Sequence, residues 1–278
     1  DNIPFHTLVF PSMLHGLGAD SEGRSFVLPW QVPANEFYNL EGGKFSTSEG
    51  RTIPPTEFFE RYDAEVARFH LIASMPETSD SEWRWKEFQA TANAGLADTI
   101  GNLVTRVLRF LDKHFDGVVP EINEEHLARL EGLLLGECGE IGDPAVHVTE
   151  FRFRKGAEQL LANAAVANVF IDRTAPWKLR KTDPVEAASV LGACSQYLAW
   201  IAHWMTPFMP KKAQTLWEML GQSGEVSELP WPGTPTSETW RVLPVGQRFG
   251  EVAGLFDKLE DDQITAEEEK LATQVEAS

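Results

Sequence analysis

The strongest constraint on the fold is an apolar stripe between Asp98 and Phe115. Its members recur three or four positions apart, as one face of an α-helix requires: Ile100, Leu103, Val104, Val107, Leu108 and Leu111. The opposite side of the same segment is polar and carries Asn102, Arg106, Arg109 and Lys113. The spacing predicts a helix that buries one face and leaves the other exposed.

Further helical patterns surround this segment. They predict a helix that starts in the run from Ser79 to Glu82, helices at about 124–138, 144–172 and 184–206, a short helix from Pro210 and a last one from Thr265. Consecutive helices with short connections indicate a bundle. Proline and glycine are frequent beyond Gly221, so an irregular strap over the bundle is expected there.

The first 76 residues have a mixed pattern. The apolar run that follows His6 predicts a helix, and the segment from Phe26 to Leu40 predicts one or two short strands. After Pro54-Pro55, apolar residues at helical spacing predict another helix: Phe58, Phe59, Tyr62, Val66 and Phe69. The expected fold is mainly α, with a short α/β section at 1–76, a helix bundle at 77–221, and a strap with an acidic tail at 222–278.

Charge and composition restrict the class of protein. The net charge of −18 argues against a nucleic-acid binder, because phosphate contacts need Lys and Arg. A local basic window remains around Arg173, Lys178 and Arg180, so the location of the charge matters more than its sum. The two cysteines, Cys138 and Cys194, lie far apart without a metal-ligand spacing and are expected to be buried thiols.

The start of the chain and the lengths of its apolar runs indicate where the protein is located and whether it is a fragment. There is no apolar run of 18 residues and no signal-like start, which predicts a soluble, cytoplasmic protein without a membrane partner. The chain begins with Asp1 and not with methionine. We therefore expect it to be part of a longer or processed protein.

A glycine-flanked lysine loop is the first candidate site. Gly42-Gly43-Lys44-Phe45-Ser46-Thr47-Ser48 combines a flexible backbone, one compact cation and three hydroxyl groups. Main-chain N–H groups, a lysine and hydroxyls are the donors that hold phosphate. The alternative is an ordinary polar turn.

Several segments, in their order along the chain, resemble methionyl-tRNA synthetase, a class I aminoacyl-tRNA synthetase. They are Asp1-Asn2-Ile3-Pro4-Phe5-His6 with Phe10-Pro11-Ser12-Met13-Leu14, Glu41-Gly42-Gly43-Lys44-Phe45-Ser46, Pro76-Glu77-Thr78-Ser79-Asp80-Ser81, Gly101-Asn102-Leu103-Val104-Thr105-Arg106, and Ala175-Pro176-Trp177. The resemblance covers almost the whole chain. It implies the end of a Rossmann-type catalytic domain, a stem-contact fold and an anticodon-binding helix bundle.

The resemblance assigns the lysine loop to the KMSKS loop, which closes over ATP and stabilises the leaving pyrophosphate. Lys44, Ser46 and Ser48 match the family pattern, whereas Thr47 stands where a second lysine is usual. Either Lys44 and Mg²⁺ carry the charge, or activation is weaker than usual.

The same resemblance implies a methionine pocket and an anticodon site. Asp1, Phe5 and His6 match residues of the methionine and ATP site, and the alternative for His6 is a buried core histidine. The residues that match the family's anticodon contacts are Asn102, Arg106, Pro176 and Trp177. Asn102 and Arg106 lie four residues apart and share a helical face, where they could read a splayed base on which Trp177 stacks. The alternatives are a solvated polar face and a tryptophan plug in the core.

The implied function is that of a methionine–tRNA ligase: activation of methionine with ATP, then transfer to methionine tRNA. The nucleotide-binding first half, with its HIGH-type motif and zinc-binding knuckle, is expected outside these residues, so no metal site is expected within them. We therefore expect the chain alone to be inactive in activation. Two alternative functions remain open: a noncatalytic tRNA-binding module and a class I synthetase for another hydrophobic amino acid. The sequence does not specify the oligomeric state.

Overall fold

Two short parallel strands join distant parts of the chain in the computed structural model, which describes residues 2–276. Strand β1 (Tyr38–Leu40) pairs with β2 (Ser81–Trp83), with Leu40 opposite Trp83 and both side chains buried. The prediction of a helix start in the run from Ser79 to Glu82 is wrong. Main-chain pairing with β1 and burial of Trp83 fix the segment as a strand instead.

The first residues form a continuous helical run. It consists of α1 (Asn2–Pro4), a π-helical segment (Phe5–Val9) and α2 (Phe10–Leu17), which confirms the predicted helix. Every residue from 2 to 17 is exposed or half-buried. Of the predicted strand region from Phe26 to Leu40, only β1 is a strand.

The helix predicted after Pro54-Pro55 is interrupted. Helices α3 (Pro55–Arg61) and α4 (Ala64–Ala73) are separated because Tyr62 is extended and Asp63 caps α4, accepting bonds from the N–H groups of Glu65 and Val66. The apolar side chains predicted to face the core are buried, except Phe59, which is 56% exposed.

A succession of helices forms the bundle. They are α5 (Trp85–Ala90), a π-helical segment (Thr91–Gly101), α6 (Asn102–His114), α7 (Glu124–Gly132), a second π-helical segment (Leu133–Glu137), α8 (Pro144–Thr149), α9 (Phe153–Thr174), α10 (Pro176–Thr182), α11 (Pro184–Met205) and α12 (Pro210–Met219). Proline begins α8, α10, α11 and α12, where its fixed φ suits the first helical position and its missing N–H costs nothing. The mainly α fold is confirmed.

The core of the bundle matches the predicted stripe. All six apolar residues of the stripe are fully buried, and α11 crosses the centre of the bundle with buried residues along most of its length. The tryptophans expected to serve packing are also buried: Trp83, Trp85, Trp200, Trp204 and Trp217. One long predicted helix is instead two, because Phe151 has a φ of 59° between α8 and α9.

The last part of the chain covers the bundle as an irregular strap. Trp240 and Leu243 are buried, and the side chain of Gln196 exchanges hydrogen bonds with the main chain of Leu243. A short 3₁₀ turn (Val226–Glu228) precedes α13 (Asp261–Glu276), which begins four residues before the predicted Thr265. Helix α13 returns to the first section, where its buried Glu267 accepts a bond from Tyr62.

The first section and the bundle meet through α4. Glu65 accepts bonds from the N–H groups of Lys211 and Lys212 at the start of α12, at 2.8 and 2.6 Å. One turn later, Arg68 donates to the carbonyls of Phe208 and Pro207, at 3.0 and 3.1 Å. Both charged groups of this joint therefore bind main-chain atoms, Glu65 those of the first turn of α12 and Arg68 those of the turn before it.

Candidate functional sites

The lysine loop folds as a tight double turn after β1. Main-chain bridges join Leu40 to Gly43 and Ser46 to Arg51, so the backbone reverses twice within twelve residues. Gly42 has a φ of 81°, which favours glycine. Lys44 and Ser48 are exposed, and the hydroxyls of Ser46 and Ser48 lie 3.2 Å apart. These donors face solvent on one short segment.

Two charged side chains outside the predicted motif hold the loop. Arg51 donates to the carbonyls of Leu40 and Glu41, at 3.1 and 3.0 Å. Its guanidinium lies directly against Gly43, where an added Cβ would be 2.6 Å from Nε. Glu82, from β2, accepts the N–H of Gly42 at 2.5 Å. Hydrogen bonds from Gly42 and Arg84 hold the pKa of the Glu82 carboxyl below its usual value.

Sequence reasoning missed both anchors because they lie outside the motif. Arg51 follows the loop by three residues, and Glu82 is brought in by strand pairing from 40 residues away. The loop borders a cavity of about 380 Å³ whose lining includes Lys44, Phe37, Asn39 and Asp80. The ammonium group of Lys44 lies 5.4 Å from the centre of the Phe37 ring.

The predicted methionine-site residues lie on the first helical run. The rings of Phe5 and His6 are 5.4 Å apart in an edge-on arrangement, and Phe5 also stacks on Phe10 at 6.2 Å. His6 is exposed and is therefore not a core histidine in this structure. Asp1, predicted for the same site, lies outside the described residues.

The second candidate site lies where α6 meets the turn between α9 and α10. The guanidinium carbon of Arg106 is 4.9 Å from the centre of the Trp177 ring. Its Nη2 donates to Asp172 at 2.9 Å. Trp177 is 36% exposed and so is not a plug in the core. Asn102, at the start of α6, is exposed one turn away from Arg106.

Backbone geometry at Ala175 positions this tryptophan. Ala175 ends α9 and caps α10 with a φ of 42°, in the left-handed region that is costly for residues with a Cβ. The next residue, Pro176, is buried and begins α10. Trp177 was expected at the end of a helix, but it lies in the first turn of α10. Pro176 serves as the buried base of the site, and Trp177 is the exposed member.

A groove of about 390 Å³ extends from this pair along α6. Its polar lining comes mainly from α6, and its apolar floor includes Ile171 and Leu191. His114, at the far end, has its pKa lowered first by desolvation and then by the nearby charges of Arg180 and Lys113.

The part of the chain that the structure describes has no candidate metal site. Residues 2–276 contain no group of three or more His, Cys, Asp or Glu side chains that could hold a metal ion. Cys138 and Cys194 are buried thiols whose pKa is raised by burial. Within the same residues, no helix has the length and apolar character needed to cross a membrane.

Two family models match the chain. A model described as tRNA synthetases class I (M) matches residues 1–108, and one described as the anticodon binding domain of methionyl tRNA ligase matches residues 138–276. The first covers the lysine loop and Arg106, and the second covers Trp177.

Curated relatives and solved structures agree with these models. The methionine–tRNA ligase of Chlorobaculum tepidum is 35% identical over 98% of this chain and 39% of its own length, and that of Roseiflexus castenholzii is 35% identical over 96% and 47%. The Mycobacterium tuberculosis methionyl-tRNA synthetase in complex with methionyl-adenylate has a TM-score of 0.73 at 22% identity, over 92% of this chain and 48% of that one. The chain thus spans about two fifths to one half of the length of the proteins it matches.

Proposed function

The chain belongs to the methionyl-tRNA synthetase family, and on that premise we propose that it supplies two parts of a methionine–tRNA ligase. The first is a KMSKS-type loop for methionine activation with ATP. The second is a bundle that recognises the anticodon of methionine tRNA. The observation that carries the proposal is the contact between the half-buried Arg106 and the exposed Trp177, which lies in the part of the bundle that matches the family's anticodon domain.

In the first part, the lysine loop acts on the phosphates of ATP. Lys44 places a compact cation beside the leaving pyrophosphate, and the hydroxyls of Ser46, Thr47 and Ser48 add donors. Arg51 and Glu82 hold the backbone from which these groups project. ATP and methionine are substrates of this step, and Asp1, Phe5 and His6 contribute to their site. Mg²⁺ would accompany the phosphates of ATP in the complete ligase. Zinc is expected outside residues 2–276, which bring together no group of three or more His, Cys, Asp or Glu side chains that could hold a metal ion.

In the second part, the exposed ring of Trp177 offers a stacking surface for an unpaired base of the anticodon. Arg106 lies against that ring, and Asn102 is one turn away on the same helix. An amide and a guanidinium can then donate to the edge of the stacked base. The fixed position of the pair suits a loop nucleotide better than a regular duplex. We place this activity in the cytoplasm, where it would serve protein synthesis.

The competing functions differ in chemistry. Thr47 in place of a lysine favours the noncatalytic tRNA-binding module, since the loop core then holds one cation. The match to the methionyl anticodon model weighs against a synthetase for another hydrophobic amino acid.

A binding experiment tests the proposal on this chain. Fluorescence anisotropy would compare a stem-loop RNA that carries the methionine anticodon with the same RNA carrying the reversed anticodon. We expect at least a tenfold preference for the methionine anticodon, because stacking favours any base, whereas hydrogen bonds from charged groups to base edges discriminate between bases and are worth about 1.5–3 kcal/mol each. Equal affinities would refute anticodon recognition.

Pyrophosphate exchange tests the first part. The chain alone should show no methionine-dependent exchange, whereas a complete ligase that carries it should. Turnover by the chain alone would disprove the expected division of labour. A complete ligase without turnover would support the binding module instead.

A further inference from the structure

The groove beside Trp177 continues along α6 past the residues assigned to the anticodon. Arg106, Arg109 and Lys113 line it in sequence, spaced three and four residues apart on one helical face. Seven residues separate Arg106 from Lys113, which is about 10 Å of helix. The groove is therefore longer than a single base requires.

Two of the three Lys and Arg side chains that line the groove have no carboxylate partner among the described residues, as is also true of other cations of the chain such as Lys155. Many arginines of the chain are neutralised by a carboxylate, including Arg61, Arg84 and Arg129. Among residues 2–276, Arg109 and Lys113 form no ion pair, and both are exposed. Lys113 lies in the last turn of α6, where the helix dipole favours a cation, whereas Arg109 lies one turn earlier and has no carboxylate partner to hold it.

The surroundings of the groove favour an anion. None of the described residues that line it is acidic. Asp112 directly precedes Lys113 in the sequence, but it does not line the groove. Its carboxylate lies against Gly117 instead. Asp172 pairs with Arg106 at the opposite end. The positive charge of Arg109 and Lys113 is therefore not cancelled within the groove.

The far end of the groove has a second wall. The ring of His114 meets that of Phe110 at 4.6 Å, and both line the groove. The cations that line the groove all come from α6.

We propose that Arg109 and Lys113 bind backbone phosphates of the nucleotides that adjoin the anticodon. This inference rests on the proposed function, since it takes the Arg106–Trp177 pair as the anchor for the same RNA strand. The residues act as phosphate contacts, which fix the register of a strand without reading its bases. An exposed lysine and arginine supply that contact well, because they donate to phosphate with little desolvation.

The experiment measures the salt dependence of RNA binding. The logarithm of the association constant for the methionine-anticodon stem-loop would be plotted against the logarithm of KCl concentration for the wild-type chain and for the double variant Arg109→Gln/Lys113→Gln. Each phosphate contact on single-stranded RNA contributes about 0.7 to the slope, so the double variant should lose about 1.4. The preference for the methionine anticodon should stay unchanged.

A matched control separates this effect from a general loss of charge. Lys155, on α9, is also exposed and without an ion pair among the described residues. The variant Lys155→Gln should leave the slope as in the wild type. Because all three side chains are exposed, circular dichroism and the Tm should not change, and each single variant at 109 and 113 should give about half the effect.

The possible results distinguish a failure of the phosphate contacts from a failure of the proposed anticodon recognition. If the wild-type chain shows no anticodon preference, the proposed function fails. If the preference is present but the double variant keeps the wild-type slope, only the phosphate contacts are refuted. If an acidic peptide of equal charge competes as well as the RNA does, the groove is a protein-binding surface and the inference is also overturned.

Discussion

Arg106 lies with its guanidinium 4.9 Å above the ring of Trp177, although 71 positions separate the two residues in the sequence. A cation on an indole face is attracted by the ring's electron density, and the contact keeps both groups in one orientation. Asp172 holds the same guanidinium from the side. The pair is therefore arranged before any ligand is bound.

The first prediction concerns Trp177. Trp177→Ala should lower the affinity for methionine-anticodon RNA by roughly 5- to 150-fold, the equivalent of about 1–3 kcal/mol of stacking. Because the side chain is more than a third exposed, the free energy of unfolding should change by less than about 1 kcal/mol. Trp231, in the strap, is 37% exposed and provides the control, since Trp231→Ala should leave RNA affinity unchanged. A collapse of the Tm with intact anticodon dependence would make Trp177 a core residue.

The second prediction concerns the turn that presents this tryptophan. Ala175 has a φ of 42°, so Ala175→Gly should relieve strain and leave stability equal or up to about 1 kcal/mol higher. The bulkier Ala175→Val should lower it. The control, Ala165→Gly on the exposed side of α9, should cost about 1 kcal/mol, because glycine is unfavourable in a helix interior. Urea denaturation measures all three, and equal losses for both glycine variants would contradict the role of the turn.

The third prediction concerns the base of the lysine loop. In Gly43→Ala, the new Cβ would lie 2.6 Å from Nε of Arg51, so the guanidinium must leave the carbonyls of Leu40 and Glu41. Hydrogen exchange should become faster at the amide of Ser46, which bonds the Arg51 carbonyl. Gly254 has open space around it, and Gly254→Ala should leave that exchange unchanged. An unaltered rate in Gly43→Ala would show that Arg51 does not fix the loop.

The fourth prediction concerns the cation missing from that loop. Thr47 is exposed, so Thr47→Lys can add a charge near the phosphates without displacing a packed side chain. In a complete ligase, methionine-dependent pyrophosphate exchange should rise by about tenfold, close to the lower estimate for one charge at a solvated site. No increase would mean that another group already supplies the charge. The uncharged variant Thr47→Gln controls for side-chain length.

The fifth prediction concerns the pH dependence of stability. His70 is 2% exposed, its ring lies 4.9 Å from that of Trp83, and burial lowers its pKa to about 4. The unfolded chain takes up a proton near the ordinary value of 6.5, whereas the folded chain does not do so until about pH 4. The free energy of unfolding should therefore fall as the pH decreases from 6.5 to 4, by about 3 kcal/mol in total.

A variant isolates this contribution. His70→Gln keeps a polar group that can bond the hydroxyl of Thr91 but does not titrate, so its stability should vary less over the same pH interval. The exposed His15→Gln should follow the wild-type curve. Chemical denaturation at several pH values would measure the three proteins. Identical slopes for His70→Gln and the wild type would assign the acid sensitivity to other groups.

The sequence predicted the helices well because their signals are local. The stripe from Ile100 to Leu111 and the prolines at helix starts act within a few residues, and the structure confirms both. Strand β2 was missed because Ser81, Glu82 and Trp83 carry little strand signal of their own. Their conformation depends on β1, which is 43 residues earlier. A local pattern cannot report such a partner.

The site residues likewise fall into those that a local pattern predicts and those that depend on distant parts of the chain. Lys44, Trp177 and the alignment of Asn102 with Arg106 could be predicted from motifs and helical spacing. The supports, Arg51, Glu82, Asp172 and Ala175, were missed, because their importance comes from contacts across the fold or from backbone dihedral angles. The roles of the site residues themselves remain predictions until the variants are measured.

The joint formed by Glu65 and Arg68 has a consequence for how such proteins can diverge. An ordinary salt bridge can exchange its charges through two substitutions, because each partner is a side chain. Here the partners are amide N–H groups of α12 and carbonyls of the preceding turn, whose polarity no substitution can reverse. A compensating mutation is therefore not open to either position. The joint itself places no demand on the side chains of residues 207–212, although Phe208 and Met209 are constrained by the core. In contrast, it requires α4 to retain an acid and a base one turn apart.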